Sequence, residues 1–185
     1  MLTGVVTARK EIEKQHLKIK VGFNAIPSFN PADNFWNIIG SDEFKKLREA
    51  IDYIGLDFYP DVFRPVASDG QPNDLEQSVI NVLRYFRNVN LKTGKIPLSV
   101  PIHITENGWA TGENRTYERQ AQVIEKIIST IVSLMDELNI DTYEVFALRD
   151  TNTSNQNIFY QFGLLNDDDF PKPAFKIFQQ FIKEI

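Results

Sequence analysis

Four short runs of strand-forming residues alternate with helical stretches along this chain, and no two of those runs are joined by a hairpin turn. Antiparallel strands can be linked by two residues, whereas parallel strands need a crossover of a dozen or more, usually a helix. The alternation therefore restricts the chain to the α/β class with a parallel sheet. The strand runs lie near 18–24, 53–59, 101–105 and 142–148. Residues 9–17 read as the charged tail of a first helix. After a loop with Pro27 and Pro31, a second helix is expected from about Ser41, with Asp42 and Glu43 where the helix dipole favours acidic groups. Asn73 with Glu76 forms a capping-box-like start for a helix reaching about Asn90. The longest helix is expected over 116–139, because Ile124, Ile127, Ile128, Ile131, Leu134 and Leu138 recur at helical spacing. Pro173 suits the first turn of a last helix through Lys183.

Four such units make half of a (β/α)8 TIM barrel. A flavodoxin-like open sheet is the structural rival. No composition shift or internal repeat divides the 185 residues, so a single domain over 1–185 is expected. A net charge of −5 argues against a nucleic-acid partner, which needs a concentrated basic face. No run approaches the roughly 18 apolar residues of a membrane span. The start has no basic stretch followed by an apolar run, so no signal peptide is read; the location stays open, with the cytoplasm favoured. Without cysteine there is neither disulfide nor thiol chemistry, and with two histidines a zinc site is not expected. Neither a metal nor a cofactor is expected.

The strand tips are polar: Asn24, Asp57 followed by Tyr59, Glu106 with Asn107, and Asp150 just past the fourth. Asp and Asn end strands because they make turns and cap helices. Here the next helix starts about ten or more residues later in each unit, too far for capping, and long loops over polar tips mark the catalytic face of a barrel. Side chains alternate along a strand, so Asp57 and Tyr59 share a side. By the same rule Glu106 goes with Ile102 and Ile104, leaving His103 and Thr105 opposite. His103 is then read as a core histidine packed under a helix. Asn107 is read as forming a turn with Gly108.

The run Ile104-Thr105-Glu106-Asn107-Gly108 resembles the nucleophile strand of clan A retaining glycoside hydrolases, family 1 β-glycosidases in particular. Tyr53-Ile54-Gly55-Leu56-Asp57-Phe58-Tyr59 resembles their sixth strand, where Gly-x-Asn-x-Tyr is usual. Phe146-Ala147-Leu148-Arg149-Asp150 stands where Trp-Ser-Leu-Leu-Asp is common. Phe162-Gly163-Leu164, with Lys172-Pro173-Ala174, resembles the exit from the last strand. The resemblance covers about 18–178 and matches strands five to eight. It implies Glu106 as nucleophile and Tyr59 as the phenol that orients it. It also implies substrate contacts from Asn24, Asp57, Trp109 and Phe146, with Asp57 replacing the usual Asn and Phe146 a smaller platform than the usual Trp. Trp36, Phe63 and Tyr160 are further loop aromatics able to stack on sugars or to pack their loops.

Retaining hydrolysis needs two carboxyl groups about 5–5.5 Å apart. In this clan the acid/base ends strand four as Asn-Glu, and no such pair precedes the first strand here. The expectation is a C-terminal half that carries the nucleophile, lacks the acid/base, and has little activity alone. Its expected partners are a carbohydrate and either a complementary N-terminal half or a second copy. Its open edges and an apolar interior face would be exposed. Two other readings stay open. One is a non-catalytic carbohydrate-binding or pseudoenzyme module. The other is an unrelated α/β protein, in which Tyr59 should lie far from Glu106. Asp167, Asp168 and Asp169 read as a solvated turn.

Overall fold

The structure is a computed structural model that describes residues 2–67, 70, 71 and 74–184. Its elements are α1 (Leu2–Lys14), β1 (Gly22–Ala25), α2 (Phe35–Gly40), α3 (Lys45–Ala50), β2 (Tyr53–Asp57), α4 (Leu75–Tyr85), β3 (Ile102–Asn107), α5 (Tyr117–Leu138), β4 (Ile140–Val145) and α6 (Pro173–Glu184). The four strands form one parallel sheet in the order β1-β2-β3-β4, with Phe23 opposite Ile54 and Asn24 opposite Gly55. This is a partial (β/α)8-barrel fold, with β1 and β4 at the edges.

The strands sit a few residues from their expected places. β3 runs on through Glu106 and Asn107, so both belong to the strand. Asn107 accepts the Phe146 amide at 2.7 Å through its carbonyl and is fully buried. It therefore extends the ladder instead of making a turn with Gly108. β4 starts earlier and ends at Val145, leaving Phe146 just beyond it.

By contacts the chain divides into two compact units. The first comprises Met1–Phe58, Asn81–Thr105 and Leu134–Tyr143; the second comprises Tyr59–Ile80, Glu106–Ser133 and Glu144–Ile185.

In the first unit, Ile54, Leu56, Ile102 and Ile104 are wholly buried on one face of the strands. Burying each such side chain is worth roughly 1.5–3 kcal/mol. The other face is polar, not the apolar interior expected of a half barrel. It carries Asn24, Tyr53, Asp57, His103 and Thr105, linked by hydrogen bonds and ring stacking. The reason lies in the alternation: the large aliphatics of β2 and β3 all fall on one parity, leaving polar and small residues on the other. His103 is buried there under the Tyr53 ring, 4.0 Å away and nearly parallel to it, with Nε2 2.8 Å from Asp141. Its cover is that ring rather than a helix, which corrects the sequence reading.

Helix α2 lies where the sequence suggests only a loop. Phe35, Trp36 and Ile39 form an apolar stripe whose Trp36 packs against Phe86, 5.5 Å between centroids. Trp36 is thus a buried helical residue and not a loop aromatic facing a cleft. Beyond Tyr85 the helix continues through a widened turn over Phe86–Leu91, which buries Arg87 and Asn90. The Asn90 amide holds Ser28 by two backbone bonds, pinning the loop after β1. Arg87 donates to the carbonyls of Leu138, Val100 and Asn139.

In the second unit, α4 starts at Asp74, whose carboxylate accepts the Gln77 amide at 2.9 Å. Asn73, the expected cap, lies outside the described residues. Helix α5 opens with Thr116 accepting the Arg119 amide. It buries Val123, Ile124, Ile127 and Ile128 along one stripe. Among the described residues no helix is long and apolar enough to cross a membrane.

Candidate active site

The second unit brings Tyr59 and Glu106 together. Tyr59 lies two residues beyond β2, and its phenol donates to Glu106 Oε2 at 2.8 Å. Both side chains are half-buried. Ile102 and Ile104 point into the apolar core, so strict alternation would have sent Glu106 there too. The in–out pattern is lost between Thr105 and Glu106, where both residues are half-exposed. The carboxylate is freed at the strand's end, where parallel α/β sheets present their chemistry.

Three aromatic rings fix the Tyr59 ring edge-to-face: Phe63 at 6.0 Å, Phe146 at 6.1 Å and Phe162 at 5.6 Å. Each such pair is worth about 0.5–1.5 kcal/mol beyond its buried area. Phe146 is brought close by Gly108, where any Cβ would collide with the Phe146 carbonyl oxygen. This glycine is needed for the close approach of two chain segments. The Phe146–Ala147 peptide is cis. Phe162 is held from below, because Ala147 donates to its carbonyl and Leu164 donates to the Ala147 carbonyl.

A buried ion pair locks the loops around these rings. Lys172 and Asp150 are almost completely excluded from solvent, with Nζ 2.7 Å from Oδ2. The amine also donates to Thr111 Oγ1, and Asp150 accepts the Gly163 amide and the Thr153 hydroxyl. Burial pushes the Lys172 amine below its ordinary value, with Asp150 pulling the other way. Only the Lys-Pro-Ala run and the Asp just past the fourth strand hint at this pair in the sequence.

The other expected site residues are placed differently. Trp109 is 3% exposed; its indole donates to the Asp61 carbonyl at 3.1 Å, and the Arg115 guanidinium lies 3.7 Å over its ring. That ring packs its loop down and offers no free face on the Arg115 side. Asn24 and Asp57 belong to the first unit. Asp57 accepts the Thr105 hydroxyl at 2.6 Å and the Asn24 amide at 3.4 Å. Gly55 makes room for them, since a Cβ there would stand 2.5 Å from Asn24 Oδ1 and 2.7 Å from Thr105 Oγ1. Asp167 exchanges two hydrogen bonds with Thr153, and Asp169 pairs with Arg149, so this acidic turn is internally bonded. No three His, Asp or Glu side chains among the described residues form a group suited to a metal.

No protein-family model and no curated protein matches the sequence. Solved structures do match. An FMN-binding β-glucuronidase from Faecalibacterium prausnitzii L2-6 is similar with a TM-score of 0.64 and 12% identity, over 97% of this chain and 26% of that one. A β-glucosidase from Exiguobacterium marinum is similar with a TM-score of 0.60 and 16% identity, over 97% of this chain and 56% of that one. A family 17 β-1,3-glucanosyltransferase from Rhizomucor miehei gives 0.53 and 15%, over 92% and 54%. The chain thus spans between about a quarter and just over half of these proteins. At such identities the likeness shows the fold alone, one that these three proteins share with this chain.

Proposed function

We propose that this chain is the nucleophile-bearing part of a retaining β-glycosidase. The observation that carries the reading is the 2.8 Å hydrogen bond from Tyr59 to Glu106 at the end of β3. A glycosidase-type fold around it adds support. Glu106 attacks the anomeric carbon; the bond to the leaving oxygen breaks and a covalent glycosyl-enzyme forms. Tyr59 holds one carboxylate oxygen so that the other is aimed. Protonation of the leaving oxygen, and later activation of water, fall to a second carboxyl about 5–5.5 Å away. That group belongs to a complementary half of the barrel, so the purified chain alone turns over ordinary β-glycosides poorly or not at all.

A dinitrophenolate leaves without a proton, so it isolates the nucleophile from the absent acid. A dinitrophenyl β-glycoside fluorinated at its second carbon should therefore label the chain, and peptide mapping should place the sugar on Glu106. Glu106→Gln should abolish labelling. Saturable binding of the glycoside with no adduct would instead favour a carbohydrate-binding module, and a label on any other carboxylate would refute the assignment.

A further inference from the structure

Asp61 stands two residues beyond Tyr59, and Trp109 three beyond Glu106. The segments that supply the phenol and the carboxylate thus each place a second residue nearby, and those two residues meet. The Trp109 indole donates to the Asp61 carbonyl at 3.1 Å and to its Oδ2 at 3.3 Å. Arg119, on α5, pairs with the same Oδ2 at 3.4 Å, and Arg115 reaches the Asp61 carbonyl at 3.5 Å. Asp61 Oδ1 accepts the Val66 amide at 3.1 Å, folding the loop after β2 back on itself. The side chain is only 13% exposed. Its backbone is left-handed, φ +59°, a conformation that Asp tolerates better than most residues. Trp109 is fixed in turn by Gln120, which donates to its carbonyl at 2.8 Å.

The three phenyl rings around Tyr59 set the tilt of its ring, but none comes from the segment that carries Glu106. Phe63 follows β2; Phe146 and Phe162 follow β4. The bonds of Asp61 to Trp109 and Arg115 do join the loop after β2 to the loop after β3. We infer that Asp61 is a positioning residue. Its carboxylate and carbonyl set the spacing of these two loops at which the Tyr59 phenol reaches Glu106 Oε2. It touches no reacting atom and acts through Tyr59. The chemical consequence rests on Glu106 being the nucleophile, whereas the spacing of the loops does not.

Asp61→Asn keeps the volume and the acceptor for Val66, and puts an amide nitrogen, which cannot accept, in place of the oxygen facing Trp109 and Arg119. Trp109→Phe deletes the indole donor from the other side and keeps the test valid if the Asn variant folds poorly. The first readout is the ¹³C resonance of the Tyr59 ring carbon bearing the hydroxyl, assigned with Tyr59→Phe. Glu106→Gln defines how far that resonance moves when the charged acceptor is lost. Asp61→Asn and Trp109→Phe should each move it in the same direction. The second readout is labelling by the fluorinated dinitrophenyl glycoside. The saturating rate constant should fall about tenfold in Asp61→Asn, with the half-saturating concentration changed less than about twofold. Placed on Tyr59→Phe, Asp61→Asn should cause no further fall, because the route through the phenol is already cut. An unmoved Tyr59 resonance in both variants, or an equal fall on the wild-type and Tyr59→Phe backgrounds, would overturn the inference. If the wild type takes no label on Glu106 while the resonance still moves, the nucleophile reading falls and the positioning of the phenol stands.

Discussion

Replacing Lys172 by Met is the sharpest test of how the loops near Glu106 are held. Met keeps most of the volume and removes the cation. Asp150 would keep the Gly163 amide and the Thr153 hydroxyl, while its carboxylate would stay buried without its 2.7 Å partner. Thr111 would also lose a donor. Removing one member of a buried pair costs about 3–5 kcal/mol, since the surviving charge cannot regain water. Against a total stability of about 5–15 kcal/mol that is a large share. For a chain of this size it corresponds to a fall of roughly 6–20 °C in midpoint, at about 2–4 °C per kcal/mol. The double variant Asp150→Asn, Lys172→Met removes both charges but keeps an oxygen for the Gly163 amide, so it should recover most of that loss. Thermal unfolding followed by circular dichroism, with both singles and the double, measures the coupling. If Lys172→Met shifts the midpoint by no more than about 2 °C, or if the double is as unstable as the single, then the pair is not what fixes these loops.

Four further outcomes are expected. Tyr59→Phe keeps the three ring contacts and deletes the bond to Glu106, which as a hydrogen bond to a charged group is worth about 1.5–3 kcal/mol. The labelling rate should fall by roughly ten- to a hundredfold, and an unchanged rate would remove Tyr59 from the machinery. Gly108→Ala forces its new methyl into the Phe146 carbonyl, so both the unfolding midpoint and the labelling of Glu106 should drop; wild-type values for both would deny the close approach. Arg87→Lys cannot fork to the three carbonyls that the guanidinium serves, and should cost about 2–3 kcal/mol in urea unfolding. Full stability of that variant would contradict the buried fork. The carboxyl of Asp74 is held below its ordinary 3.8 chiefly by the Gln77 amide. Its stabilising contribution is therefore complete above 3.8 and drains as pH falls through the lowered value, so the Gln77 amide resonance should titrate with a midpoint under 3.8.

The course of the fold was legible because each strand run is short and each intervening segment carries either a helical stripe or a capping signal. The α5 stripe placed that helix within a residue at each end. What escaped notice was local and tertiary. Helix α2 hid behind Pro27, Pro31 and a run of Asn and Asp, since six residues hold too few periodic positions to announce a helix; packing of Trp36 on Phe86 supplies what propensity does not. The widened turn at Phe86–Leu91 has no sequence signature at all. Its consequence, burial of Arg87 and Asn90, is visible only once neighbouring carbonyls are in place.

The candidate site was legible in part, and its misreadings share a physical root. Alternation is a rule about a regular ladder, and Glu106 stands at the ladder's end. For Ile102, His103, Ile104 and Thr105 it holds, which is why His103 stacks on Tyr53 across the polar face. At Glu106 the half-burial of two consecutive residues breaks the period, and the carboxylate meets Tyr59 despite the parity it shares with two core isoleucines. Exposure of aromatics is a tertiary property in the same way. Trp109 follows the motif directly and was the natural stacking candidate, yet Asp61 and Arg115 claim it. Phe159, between Ile158 and Tyr160, stays 63% exposed although the Phe63 ring lies 5.9 Å away. Sequence motifs therefore locate the candidate carboxylate more readily than the exposure of the aromatics around it. The first depends on a strand's end, the second on which loop side chains have already found partners.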